Sequence, residues 1–166
     1  MLTIRTILHP TDFSENSDFA FRLACALARD YGARLIVLHV ATPAAVVGFA
    51  EGIMIPEPPE TNEQLRQMLH DVRATDPAVK LEHRFMQGDG ASQILRAAQE
   101  SKCDLIVIGT HGRTGLARLL MGSVAEQVVR HAECPVVTVR RPIAEAWTSK
   151  AHDVKSIAIP AEAAKA

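Results

Sequence analysis

Five short apolar runs, separated by segments of helical spacing, constrain the fold of this chain more than any other feature. The runs are Ile4 to His9, Arg34-Leu-Ile-Val-Leu-His-Val40, Lys80-Leu-Glu-His-Arg-Phe-Met86, Leu105 to Ile108 and Pro135-Val-Val-Thr-Val-Arg140. The second is apolar nearly throughout, as expected of a central parallel strand covered on both faces. The third alternates, with Leu81, His83 and Phe85 on one side, which suits a less buried strand. Between the runs, Ser14 caps a helix on which Phe19, Leu23, Leu27 and Tyr31 recur at helical spacing, and Gly32 stops it. Glu63 to Ala74 is amphipathic through Leu65, Met68, Leu69 and Val72. Gly88-Asp-Gly90 turns into a helix over Ser92 to Ser101, with Ile94, Leu95 and Ala98 inward. The last helix runs from Ser123 to His131. Strand and helix in strict alternation predict an α/β fold: an open five-stranded parallel sheet, doubly wound and Rossmann-like, with right-handed crossovers and helices on both faces.

In such a sheet, ligands bind beyond the carboxyl ends of the strands, where the strand order reverses. The first strand ends in Pro10-Thr11-Asp12. The fourth ends in Gly109-Thr-His-Gly112-Arg-Thr-Gly-Leu-Ala-Arg-Leu-Leu-Met-Gly122-Ser123. If these strands are neighbours, both segments face one crevice. Ser123-Val-Ala-Glu126 has the spacing of a capping box, which places a helix start at the end of the glycine loop. A helix N-terminus offers unpaired N–H groups and partial positive charge to a phosphate. Arg113 and Arg118 add cations to the same loop. The stretch reads as a nucleotide phosphate site.

Plainer readings stand beside this one. The glycines could be turn residues at positive φ. Ser123 could serve as a cap only. Asp12 could cap the next helix or turn with Thr11. His9 and His39 lie at the carboxyl ends of two strands and could pair on a metal, but no third ligand has recognisable spacing, so packed, hydrogen-bonded rings are expected. Gly88-Asp-Gly90 is not a dinucleotide fingerprint, because position 93 is Gln93. A P-loop and a nucleophile elbow are both missing from the sequence.

Length and charge narrow the function classes. At 166 residues the chain fits one domain, over residues 1–141, with 142–166 as a tail that is flexible or packed on a dimer. A net charge of −1 and few aromatics give no footprint for nucleic acid. The longest weakly polar stretch, Ala41 to Ala50, is short and contains Pro43, so no membrane span is expected, and residues 41–61 read as a long loop. Cys25, Cys103 and Cys134 are scattered and odd in number, as reduced, buried thiols of a cytoplasmic protein would be.

The quoted residues resemble the universal stress protein family across residues 3 to 140. The resemblance rests on Ile7-Leu-His-Pro-Thr-Asp-Phe-Ser14, Leu38-His-Val40, Asp104-Leu-Ile-Val-Ile-Gly-Thr-His-Gly-Arg113, Gly122-Ser-Val-Ala-Glu126 and Cys134-Pro-Val-Val-Thr-Val139. The spacing Gly-x2-Gly-x9-Gly-Ser is that of the family's ATP-binding branch. The resemblance implies ATP, ADP or AMP as ligand. Asp12, with Pro10 and Thr11, would meet ribose and adenine, and the main chain at Val40 would read the adenine edge. Gly109, His111, Gly112 and Arg113 would line ribose and phosphates. Gly122, Ser123 and Val124 would hold phosphates by N–H groups, helped by the Ser123 hydroxyl. Magnesium or manganese would ride on the phosphate oxygens. A homodimer through Val136 to Val139 is implied by the family and by the exposed edge that this strand would leave. The function implied is stress-responsive regulation of a protein partner by nucleotide occupancy. Slow ATP hydrolysis or autophosphorylation, and a ligand-free dimeric scaffold, are the alternatives.

Overall fold

The computed structural model describes residues 3–42, 59–110 and 121–140. Nine elements alternate along them: β1 (Thr6–Pro10), α1 (Glu15–Tyr31), β2 (Arg34–Ala41), α2 (Pro59–Asp71), β3 (Lys80–Gln87), α3 (Gly90–Glu100), β4 (Leu105–Gly109), α4 (Ser123–His131) and β5 (Val136–Val139). All strand pairs are parallel, in the order β3-β2-β1-β4-β5. The order reverses between β1 and β4, so the two segments singled out in the sequence do lie side by side. The expected long loop and the tail fall mostly or wholly outside the described residues.

Period-two alternation divides the strands between two cores. Ile7, Leu35, Val37, Leu105 and Val107 join the cluster that includes Ala20, Ala24 and Ala28 of α1 and Leu69 of α2. Leu8, Ile36, Leu38, Ile106 and Ile108 join Ile94, Ala97 and Ala98 of α3 and Ala125 and Val128 of α4. Helices therefore cover both faces, and the doubly wound fold expected from the alternation is the one observed. At the edge, β3 keeps Leu81 and Phe85 against the first core, and the ring of His83 on the same side donates through Nε2 to the Val72 carbonyl at 2.9 Å.

Helix α1 departs from its sequence reading. Its fully buried stripe is Ser17, Ala20, Ala24 and Ala28, whereas Leu23 is 37% and Tyr31 46% exposed. Phe19 and Leu27 only flank the core. Small side chains let the helix axis approach the flat sheet, and Gly109 shows how close the approach is. A Cβ there would stand 3.2 Å from the Asn16 carbonyl oxygen. The ends of α1 are as read: the Ser14 side chain accepts from Ser17 N–H, and Gly32 closes the helix at φ 63°.

Candidate functional site

The crevice begins where the β1–β4 ladder stops. Register between these strands covers Ile7↔Leu105 and Leu8↔Ile106 only, while β1 and β2 pair over five positions. Pro10 has no N–H with which to continue toward β4. The Val107 carbonyl takes its hydrogen bond from a side chain instead: His9 Nδ1 donates to it at 2.9 Å. That bond fixes the proton on Nδ1 and leaves Nε2, buried beside Phe21, without a partner. Burial without a second acceptor favours the neutral ring, and the His9 pKa is lowered to about 4, desolvation outweighing the Val107 bond and the charge of Asp12. His39 is likewise packed, its Nδ1 donating to the Thr11 carbonyl at 2.8 Å and its ring stacked on Phe13 at 4.5 Å. Each histidine is thus a structural ring, and among the described residues no cluster of three ligating side chains exists to hold a metal.

After Pro10 the chain is locked by short-range bonds. Thr11 Oγ1 accepts from Phe13 N–H at 3.1 Å and from Ser17 Oγ at 2.8 Å. Asp12 Oδ1 accepts from the Ser14 N–H at 3.1 Å and its hydroxyl at 2.6 Å. Phe13 adopts φ 62°, a conformation that a bulky residue takes only when its surroundings impose it. Asp12 therefore performs the turn-forming role considered for it and still borders the cleft.

The opposite wall is the start of α4, where the structure corrects the capping-box reading. The N-cap is Gly122 at φ −73°, ψ 154°, and Ser123 is the first helical residue. The Gly122 N–H is bonded to the Thr110 carbonyl at 2.7 Å and its carbonyl accepts from Glu126 N–H, which starts the helix one position before the Ser-x-x-Glu pattern would. Glu126 turns forward to Arg130 at 2.7 Å. The caps of α1 and α3 are side chains, Ser14 and Asp89, that accept from the first turn; Gly122 has none to offer. Among the described residues no N-cap side chain serves the first-turn N–H groups of α4. Neither Gly109 nor Gly122 needs a positive φ, so the simple turn reading fails for both.

These walls enclose a cleft of about 240 Å³ bordered by Pro10, Thr11, Asp12, Val40, Gly109, Gly122, Ser123 and Val124. Eight of the eleven residues expected at the site are thus brought together. His111, Gly112 and Arg113 lie outside the described residues. The sequence reading missed the apolar floor, formed by Leu38, Ile94 and Ile108, and the polar rim at Thr42 and Thr110. Leu38 was within reach of it, being two residues before Val40 and so on the same side of β2. Gly90, which opens α3 after the cap Asp89, also borders the cleft, where a Cβ would meet the Val124 side chain at 3.4 Å, an ordinary contact.

No described helix is long and apolar enough to cross a membrane. The sequence profile of the universal stress protein family matches residues 3–140. A universal stress protein of Methanocaldococcus jannaschii is 36% identical over 141 residues, covering 83% of each chain. Among solved structures, the universal stress protein UspA of Lactobacillus plantarum superposes with a TM-score of 0.66 at 29% identity, over 82% of this chain and 98% of the other. A universal stress protein crystallised in complex with cAMP gives 0.62 at 25% identity, over 83% and 98%. With its profile matched from the first strand to the last, this chain belongs to the universal stress protein family.

Proposed function

We propose that the cleft binds an adenine nucleotide, ATP or its di- or monophosphate, and that occupancy regulates the binding of a protein partner. The observation that carries the reading is the two-sided character of the cleft. Leu38, Val40, Ile94 and Ile108 offer an apolar slot for a flat base, and a helix N-terminus with a glycine cap faces it. Thr42, Asp12 and Thr110 supply polar groups around the slot for a sugar. The solved relative that carries cAMP supports the adenine class. Asp12 is the carboxylate on the cleft, so magnesium or manganese would rest chiefly on phosphate oxygens. A ligand spanning the slot and the α4 terminus would bind one arrangement of the flanking segments better than others, which is the requirement for a switch. A homodimer joined at β5 completes the proposal, since β5 is one of the two sheet edges.

Proline at position 123 makes a sharp test. The first helical position tolerates proline, and an extended Gly122 at ψ 154° is compatible with a following proline, so Ser123→Pro deletes the N–H and the hydroxyl and leaves the helix in place, whereas Ser123→Ala deletes the hydroxyl alone. By calorimetry, AMP and magnesium ATP should bind Ser123→Pro roughly 10–100-fold more weakly than Ser123→Ala, as befits one lost hydrogen bond to a charged group. Adenosine should bind wild type and variants alike. Equal affinity of the two variants for the phosphorylated ligands would remove the α4 terminus from the site.

A further inference from the structure

At the opposite end of the sheet, two cysteines that are 31 positions apart in sequence meet. Cys103 precedes β4 and Cys134 precedes β5. The register Ile106↔Val136, with the bond from Ile106 N–H to the Pro135 carbonyl at 3.0 Å, brings the segments just before β4 and β5 alongside each other. Asp104 N–H turns to the Thr6 carbonyl at 2.9 Å, so the alternation of β4 does not extend back to Cys103, which faces the same core as Cys134. Neighbouring positions on adjacent parallel strands, ~4.8 Å apart, lie within the Cα separation that a disulfide spans. Both side chains pack against the second core. They border a groove of about 580 Å³ between the C-terminal ends of α3 and α4, bridged by the 3.0 Å bond from Gln99 to Glu133. The chain is held up to Cys103, whose N–H bonds to the Ala98 carbonyl at 2.9 Å after Lys102 at φ 50°.

We propose that Cys103 and Cys134 form a dithiol site that closes to an intramolecular disulfide on meeting a low-molecular-weight disulfide in this groove. Cys134 is the attacking thiol and Cys103 the resolving one. The Cys103 S–H is engaged with the Leu105 carbonyl at 3.0 Å, and burial pushes this thiol up to about 12, which leaves Cys134 as the freer of the two to attack. Cys134 attacks one sulfur of the oxidant, breaks its S–S bond and releases one reduced thiol. Cys103 then attacks Cys134 in the mixed disulfide and releases the second. The two protein sulfurs are oxidised and the two oxidant sulfurs reduced. Both thiol protons end on the released thiols. Burial raises the pKa of both groups, so the exchange is slow, suited to a sustained redox poise and not to a brief pulse of oxidant.

The test uses the full chain bearing Cys25→Ser, equilibrated in oxidised and reduced glutathione at stepped ratios, alkylated, and weighed by mass spectrometry. The expected product is lighter than the reduced protein by two hydrogens, with Cys103 and Cys134 recovered in one cross-linked peptide. Its thermal midpoint should rise by roughly 5–15 °C, because the bond closes a long loop. Adding Cys103→Ser should trap Cys134 as a stable glutathione adduct, and adding Cys134→Ser should leave Cys103 unreacted. Glutathione adducts that persist on the intact pair, cross-links between chains, or two thiols that stay reduced at the most oxidising ratio yet alkylate fully after denaturation would each overturn the proposal. None of these readouts depends on nucleotide.

Discussion

Acid should weaken this fold through one residue, His9, and the size of the effect follows from its surroundings. In the unfolded chain the imidazole titrates near its ordinary value of 6.5; in the fold it titrates at about 4. The folded pKa is the lower, so the unfolded chain binds more protons in between, and stability present above pH 6.5 is lost as the pH falls toward 4. The full difference of about 2.5 units corresponds to roughly 3.4 kcal/mol. Between pH 7.5 and pH 5 the loss is about 2 kcal/mol, and below pH 4 it levels off. Other groups titrate over the same range, so the informative quantity is a difference between two proteins. His9→Gln keeps an N–H able to reach the Val107 carbonyl but cannot take up a proton. Urea unfolding of wild type and His9→Gln at half-unit steps should give stabilities whose gap shifts by about 2 kcal/mol, in favour of the variant, between pH 7.5 and 5. Parallel curves would show that His9 keeps an ordinary pKa inside the fold, and the account of a neutral, half-satisfied ring would fail.

Substitutions at four further positions probe the packing. Gly109→Ala places a Cβ 3.2 Å from the Asn16 carbonyl oxygen, so α1 and β4 must separate; denaturant titration should show a loss of about 1–3 kcal/mol. Asp104→Ala removes the carboxylate oxygen that accepts from Arg5 N–H at 2.8 Å and Thr6 N–H at 2.9 Å; the expected loss is roughly 2–4 kcal/mol, partly restored in Asp104→Asn. On α1, Leu23→Lys should change stability by less than about 0.5 kcal/mol, whereas Ala24→Val, on the fully buried stripe, should cost about 1–3 kcal/mol by overpacking; the reverse ranking in thermal melts would reinstate the larger side chains as the core face.

The strands were legible as short apolar runs, and the position of β1 beside β4, a condition of the site reading, is supplied by the observed strand order. What misled was size. On α1 the large residues Phe19, Leu23, Leu27 and Tyr31 have the right spacing for an inward face, yet a helix that lies close on a parallel sheet buries alanines, and apolarity alone does not distinguish these. The start of α4 misled for a related reason: Ser123 and Glu126 have the spacing of a capping box, but the tie from Gly122 to Thr110 begins the helix one residue sooner. Such a tie joins the two ends of a loop and leaves no local signature. The same holds for Cys103 and Cys134, whose neighbourhood is created by the β4–β5 register and not by any short motif. Of the three glycines read as a phosphate loop, Gly109 serves close packing and Gly122 a cap, and Gly112 lies outside the described residues.

The brief pairing of β1 with β4 makes the sheet, counted by its backbone ladders, two plates joined along a short hinge line, with α1 packed across it. One plate holds β3, β2 and β1, with eight and five register pairs inside it; the other holds β4 and β5 with four; the hinge has two. Asp104 rivets one end of that line and His9 latches the other. A molecule seated between Val40 on the first plate and Val124 on the second acts as a cross-brace at the end where backbone rungs are missing. Slow amide exchange along Ile7, Leu8 and Leu105 to Val107 therefore becomes a strain gauge for the whole protein, one that tightens when the brace is in place and loosens when acid frees the latch.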